Sequence, residues 1–200
     1  MIKPSWVIFD IGGVLFNHRQ SFDAVQKYLE VEQGYISKAI DSFIGDSEKG
    51  GIYLEDVFTA ILKPLGKMSE ISEVITMWYD HKYWHEDTFK LMQELKDAGY
   101  HIAIMTNNWG NMGERLRNIK GVEIVEKIYE SAIIGKRKPD LEFYEYLRAD
   151  LQVNPPELFL IDDLKVNCDG AINAGWQSFI YDMSMDRGVT ANNILRKELL

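Results

Sequence analysis

The chain has 200 residues, of which 46% are hydrophobic and 26% are charged, as in an ordinary globular protein. Its formal charge of −9 argues against general binding to nucleic acids or anionic membranes, because both need a basic surface. The single cysteine, Cys168, excludes an internal disulfide and suits a reducing compartment. We therefore expect a soluble, cytoplasmic monomer or homodimer without a nucleic-acid or membrane partner.

Short apolar runs alternate with helical periodicity along much of the chain, which is typical of a parallel sheet flanked by helices. The predicted strands are Trp6–Asp10, His101–Thr106, Ile128–Ile134, Leu158–Asp162 and Ser178–Asp182. The predicted helices that accompany them are Glu86–Ala98, Leu141–Leu151, Val166–Ala174 and Asn192–Leu200. The predicted fold class is therefore α/β, with a Rossmann-like parallel sheet.

One interval breaks this alternation, because we find no convincing buried strand between about residues 17 and 86. The amphipathic segments in this interval predict helices at Phe22–Val31, Tyr35–Ile44, Leu54–Leu65 and Ile71–Trp78. We interpret the interval as an all-helical cap inserted after the first strand, although these helices could also belong to the main core. The predicted organisation is a core of residues 1–16 and 87–200 and a cap of residues 17–86.

Polar side chains follow the predicted strands at the points where the strands end. In chain order they are Asp10, Thr106 with Asn107, Lys138, and Asp162 with Asp163. In open parallel sheets ligands bind outside the carboxyl ends of the strands, so we expect these side chains to meet at one edge. Carboxylates suit a hard cation such as Mg²⁺, and a hydroxyl and an ammonium suit phosphoryl oxygens. Each residue alone has an ordinary explanation, but the joint arrangement predicts a phosphohydrolase site with Asp10 as nucleophile.

These segments resemble the signature motifs of the haloacid dehalogenase (HAD) superfamily of hydrolases. The similar segments are Val7–Leu15, Ile104–Asn107, Gly135–Asp140 and Leu160–Asp163. The resemblance implies a Rossmann-like core with a helical cap, which agrees with the prediction from periodicity. The carboxylates predict Mg²⁺ as the cofactor, and a cap of this size favours a small phosphorylated metabolite over a phosphoprotein as the substrate.

The resemblance further implies a role for each matched residue. The implied catalytic residues are Asp10 as nucleophile, Thr106 and Lys138. The implied phosphate-binding residues are Thr106, Asn107 and Lys138. The implied metal-binding residues are Asp10, Asp162, Asp163 and, through its backbone carbonyl, Gly12.

Gly12 is also the main departure from the family pattern. Family phosphatases usually carry an aspartate at this position, which protonates the leaving group and then activates water. Its loss matters, because such proton transfer contributes about 10²–10⁴-fold to a rate. Water, the cap residue His18 or the substrate itself would then move the proton. The motif Asp-x-Gly-Gly-Val resembles that of sugar-phosphate phosphatases and, in part, that of the phosphatase domain of epoxide hydrolases.

Three functions remain open at this point. The favoured one is a Mg²⁺-dependent phosphatase for a small phosphorylated metabolite, with a sugar phosphate as one option, that forms an aspartyl-phosphate intermediate. The second is a 2-haloacid dehalogenase, but without a cation the retained Asp162-Asp163 pair would repel Asp10. The third is a catalytically impaired HAD-like binding protein, against which the retention of the catalytic residues argues.

Overall fold

The computed structural model of the protein describes residues 2–80, 83–109, 116–184 and 186–200. In chain order the strands are β1 (Trp6–Phe9), β2 (Phe16–Asn17), β3 (Tyr83–Trp84), β4 (His101–Thr106), β5 (Lys127–Glu130), β6 (Leu158–Asp162) and β7 (Gln177–Ile180). The α-helices whose two ends lie in these ranges are α1 (Arg19–Leu29), α2 (Tyr35–Asp41), α3 (Leu54–Leu65), α4 (Ile71–Asp80), α5 (Glu86–Asp97), α6 (Ser131–Ile134), α7 (Leu141–Leu151), α8 (Lys165–Asn173) and α9 (Val189–Leu199).

The five longer strands form one parallel sheet in the order β5-β4-β1-β6-β7. Alternate side chains of β1 point to opposite faces, so Val7 and Phe9 enter one hydrophobic cluster and Ile8 enters another. Leu91 of α5 packs in the first cluster, and Phe143 of α7 packs in the second. The sheet is thus covered on both faces, which confirms the predicted Rossmann-like α/β fold.

The inserted helices α1–α4 have a hydrophobic cluster of their own, which includes Val25, Phe58 and Trp78. The chain enters and leaves this region through β2 and β3, which pair antiparallel. The helical cap is therefore confirmed. Its predicted boundaries, residues 17 and 86, remain a proposal, which the position of the β2–β3 ribbon supports.

Apart from shifts of up to three residues at the ends of elements, the structure differs from the predicted elements in two places. The apolar run predicted as the strand Ile128–Ile134 is a strand only to Glu130 and then turns into α6, where Ile133 is 72% exposed. Periodicity cannot separate a short apolar strand from a helical turn. The β2–β3 ribbon was not predicted, because strands of two residues carry no periodic pattern. Within the described ranges, no helix combines the length and apolar character that a membrane span requires.

Candidate active site

The predicted site residues meet at the carboxyl edge of the sheet. Asp10 directly follows β1, and its backbone N–H continues the parallel ladder by donating to the carbonyl of Ile161 at 2.9 Å. Thr106 and Asp162 are the last residues of the neighbouring strands β4 and β6. Asp10, Thr106 and Lys138 line a cavity of about 660 Å³ that is enclosed by residues of the core and the cap. The parallel register thus brings together residues that are far apart in sequence.

Lys138 joins two of the carboxylates. Its Nζ lies 2.8 Å from Oδ1 of Asp10 and 2.6 Å from Oδ2 of Asp162, and the lysine is only 1% exposed. Burial by itself lowers the pKa of this lysine, but the charges of Asp10 and Asp162 raise its pKa above the ordinary value. Lys138 therefore carries its positive charge at neutral pH.

Asp162 is held by hydrogen bonds on both oxygens. Its Oδ1 accepts from the backbone N–H of Leu164 at 2.9 Å, and the side-chain amide of Asn167 donates to Oδ1 and Oδ2 at 3.0 and 3.1 Å. Together with Lys138, these contacts fix the carboxylate at the edge of the sheet. The structure thus shows that Asp162 positions Lys138. The role of Asp162 as a metal ligand stays a prediction.

Asp10, Asp162 and Asp163 offer carboxylate oxygens that all lie within 4.8 Å of one another. Burial raises the pKa of Asp10 to about 7; Lys138 opposes this rise, and Asp162 and Asp163 add to it. Burial and the charge of Asp162 likewise raise the pKa of Asp163 to about 6. Lys138 offsets one of the three negative charges, so the cluster fits an additional hard divalent cation such as Mg²⁺.

The two glycines after Asp10 have different roles. Gly13 has a φ of +76°, and a Cβ atom at this position would lie 2.1 Å from Oδ2 of Asp163. A side chain at position 13 would therefore displace the Asp163 carboxylate. The φ of Gly12 lies outside the left-handed region, and a Cβ atom there would lie 3.3 Å from Nε2 of His18.

Aromatic rings hold His18 in this place. Its imidazole stacks on Trp78 and Phe22 at centroid distances of 5.5 and 5.9 Å, and it makes an edge contact with Phe16 at 4.4 Å. His18 also lines the cavity above Asp10. Of the options for moving the proton, the structure thus places the histidine beside the backbone position where family phosphatases carry their second aspartate.

The family described as haloacid dehalogenase-like hydrolase matches residues 7–181 of the chain, which include every predicted site residue. The protein belongs to this family. It is therefore a HAD-like hydrolase, as the motifs predicted.

Known relatives of this HAD-like hydrolase include a phosphatase. The sesquiterpene phosphatase astK of Aspergillus oryzae is 28% identical over 170 residues, which cover 84% of this chain and 85% of that protein. A HAD family enzyme of Bacteroides thetaiotaomicron, bt-2542, was solved in complex with magnesium and inorganic phosphate. It matches with a TM-score of 0.71 and 24% identity over 92% of this chain and 96% of that chain.

The fold does not separate phosphatases from dehalogenases. The L-2-haloacid dehalogenase of Xanthobacter autotrophicus, solved with chloropropionic acid covalently bound, has a TM-score of 0.70 to this HAD-like hydrolase. The two are 19% identical, and the match covers 98% of this chain and 84% of that chain. The choice between the two activities therefore depends on the residues of the site.

Asn107 has a structural role that the motifs did not predict. Its Nδ2 donates to the carbonyl of Lys138, and its Oδ1 accepts from the backbone N–H of Lys138, both at 2.9 Å. The side chain thus clamps the segment that presents the lysine, and the Thr106 hydroxyl donates to the Asn107 carbonyl at 3.3 Å. The contact of Asn107 with phosphate stays a prediction. The backbone N–H of Asn107 is the suitable group for this contact, because the side-chain amide is bonded to Lys138.

Sequence reasoning also missed a contact between cap and core beside the site. Nη2 and Nε of Arg137, which precedes Lys138, lie 2.8 and 2.9 Å from Oε2 of Glu48. Both residues line the cavity, and Lys49 forms a second ion pair with Asp140 at 3.0 Å. The partners are about ninety positions apart, and Glu48 and Lys49 belong to no motif, so only the folded chain reveals these pairs.

Proposed function

We propose that this HAD-like hydrolase is a Mg²⁺-dependent phosphatase that acts on a small phosphorylated metabolite through an aspartyl-phosphate on Asp10. The carboxylate cluster of Asp10, Asp162 and Asp163 carries the proposal, because Lys138 offsets only part of its charge. A phosphate group would be repelled from such a cluster unless a cation were bound. The relative astK, a sesquiterpene phosphatase, supports phosphate ester hydrolysis as the reaction.

In the first step an oxygen of Asp10 forms a bond to phosphorus, and the bond from phosphorus to the ester oxygen breaks. The alcohol leaves with the electron pair and takes up a proton. Water then attacks phosphorus, the bond to Asp10 breaks, inorganic phosphate leaves, and a proton of the attacking water restores the proton that the alcohol took up. The Thr106 hydroxyl and the Lys138 ammonium bind the phosphoryl oxygens during both steps.

The residues suited to hold the metal are Asp10, Asp162, Asp163 and, through its carbonyl, Gly12. Mg²⁺ held there supplies positive charge that offsets the charge of the phosphoryl oxygens. His18 supplies the proton to the leaving alcohol, because its Nε2 lies 3.3 Å from where a Cβ atom of residue 12 would be. We thus assign to a cap histidine the role that family phosphatases give to their second aspartate.

The test compares the wild type, Asp10→Asn and the control Asp23→Asn, in which an exposed aspartate of α1 is changed. We expect Mg²⁺-dependent hydrolysis of p-nitrophenyl phosphate to fall by about 10³-fold or more in Asp10→Asn and to be unchanged in Asp23→Asn. Halide release from 2-chloropropionate without metal, and no phosphate release, would assign a dehalogenase instead. Neither activity, with phosphate still bound, would indicate an impaired binding protein.

A further inference from the structure

The cavity above Asp10 is much larger than a phosphate group. Its volume of about 660 Å³ is in the range that encloses most of a drug-sized ligand. Asp10, Thr106 and Lys138, which we propose to attack or bind the phosphate, are among the residues that line it. The remaining space, between the cap and the core, is therefore available to the alcohol part of a substrate.

The walls of this remaining space are largely apolar. The side chains that form them are Phe16, Phe22, Ile40, Ile44, Trp78 and Trp109. They come from both the cap and the core, and Trp109 packs against the hydrophobic cluster of the cap. A substrate in this space would thus exchange water for hydrocarbon on several sides.

Several polar side chains of the cavity are engaged within the protein, although Oδ1 of Asn108 and Nε1 of Trp109 are buried without a hydrogen-bond partner in the described ranges. Among the described residues, each asparagine that lines it uses its amide NH₂ in an internal hydrogen bond: Asn17 to Met183, Asn107 to Lys138, Asn108 to Glu130 and Asn167 to Asp162. Glu48 and Arg137 likewise pair with each other. Arg19 and Asp41, which also line the cavity, are exposed.

We infer that the substrate is a phosphate monoester of an apolar alcohol, a hydrocarbon chain or ring that lies against the aromatic and aliphatic walls. The inference rests on the proposed phosphatase function and differs from the sugar phosphate that the sequence motif suggested. A sugar presents several hydroxyl groups that need hydrogen-bond partners, and leaving them unpaired in an apolar site is costly. A hydrocarbon body needs no such partners and gains from burial.

The substrate series for the test is straight-chain alkyl monophosphates from ethyl to decyl, with glucose 1-phosphate and glucose 6-phosphate for comparison. Each buried methylene is expected to raise kcat/KM by about fourfold until the cavity is filled. The gain should come mainly through KM, because the chain contacts the walls before and during the reaction. A flat series, or faster hydrolysis of the glucose phosphates, would overturn the inference.

A matched pair of variants tests the wall directly. Ile44, on the cavity wall, and Ile194, on α9 and away from the cavity, are 49% and 47% exposed. We expect Ile44→Asn to weaken the dependence of kcat/KM on chain length and Ile194→Asn to leave it unchanged. Equal dependence in both variants would contradict the placement of the chain against this wall. Thermal unfolding of both variants checks that they fold.

Calorimetric binding of the corresponding alkylphosphonates, which are not hydrolysed, separates this inference from the proposed function. If affinity rises with chain length but no ester is hydrolysed, the apolar substrate class stands and the phosphatase proposal fails. If p-nitrophenyl phosphate is hydrolysed with Mg²⁺ but neither rate nor affinity depends on chain length, the phosphatase proposal stands and the apolar class is wrong.

Discussion

Nε2 of His18 lies 3.3 Å from the position that a Cβ atom would occupy at Gly12. Because Gly12 carries no side chain, the imidazole of His18 can approach this position closely. Gly12, two residues after Asp10, leaves space in the site. His18, the residue directly before the cap helix α1, places its imidazole next to Gly12. Trp78 and Phe22 flank the ring and restrict its orientation.

If His18 protonates the leaving alcohol, the effect of His18→Asn should depend on the leaving group. We expect the kcat for an alkyl phosphate to fall by about 10²–10⁴-fold, because an alkoxide is a poor leaving group without a proton. The kcat for p-nitrophenyl phosphate should fall much less, since nitrophenolate leaves unaided. The measurement is the ratio of the two kcat values in the wild type and the variant.

The double variant Gly12→Asp with His18→Ala provides the rescue experiment. The φ of Gly12 lies outside the left-handed region, so its backbone accepts an aspartate, and removal of the imidazole makes room for the carboxylate. We expect the double variant to hydrolyse alkyl phosphates with a higher kcat than His18→Ala alone. Equal losses on both esters without rescue would show that His18 only packs the cap.

Gly13→Ala should disrupt the metal site through Asp163. A Cβ atom would lie 2.1 Å from Oδ2 of Asp163, and the φ of +76° is unfavourable for alanine. Displacing a group that orients or supplies a ligand reduces metal affinity by about 10–100-fold, which is the loss we expect for Mg²⁺. Gly12→Ala is the comparison, with a smaller loss, and calorimetric titration of Mg²⁺ measures both. Unchanged affinity in Gly13→Ala would exclude Asp163 as a ligand.

Asn107→Ala should lower kcat/KM by about 10–100-fold, because the paired hydrogen bonds to the Lys138 backbone are lost and the ammonium is less well placed. Lys138 binds phosphate whichever alcohol is attached. The loss should therefore be similar for alkyl and p-nitrophenyl phosphates, unlike the loss in His18→Asn. Asn193→Ala, an exposed position on α9, serves as the control. Wild-type kinetics in Asn107→Ala would contradict the positioning role.

Mg²⁺ binding should strengthen as pH rises from about 5 to 8. The pKa of Asp10 is raised from 3.8 to about 7 and that of Asp163 to about 6, so protons compete with the metal in this range. Because the pKa values of Asp10 and Asp163 are raised on folding, the metal-free folded state binds more protons than the unfolded chain between about pH 4 and 7. The free energy of unfolding therefore falls, through these groups, as pH rises from about 4 to 7.

The corresponding measurement is the shift in Tm that Mg²⁺ produces at pH 5.5 and at pH 8. We expect the larger shift at pH 8, where added metal restores the stability that ionisation removes. In Asp10→Asn the dependence of this shift on pH between 6 and 8 should be smaller. Equal shifts at both pH values in the wild type would mean that the carboxylates do not bind the metal.

The strands and their terminal residues could be predicted from the sequence because the signals are local. Apolar runs such as His101–Thr106 and Leu158–Asp162 are bounded by polar residues, and both predicted strands match the structure residue for residue. A parallel sheet then places the carboxyl ends of its strands along one edge. The convergence of Asp10, Thr106 and Asp162 follows from these two facts, and the structure places the three residues at the same edge of the sheet.

Contacts between residues that are distant in the chain were decided only by the tertiary structure. The fit of Asp163 against Gly13, the clamp of Asn107 on Lys138 and the apolar character of the cavity depend on how loops, cap and core pack together. No local pattern encodes such packing. The sequence by itself determined that position 12 lacks an acid. Only folding brought His18 beside it, because aromatic rings from β2 and from the cap helix α4 hold the imidazole there.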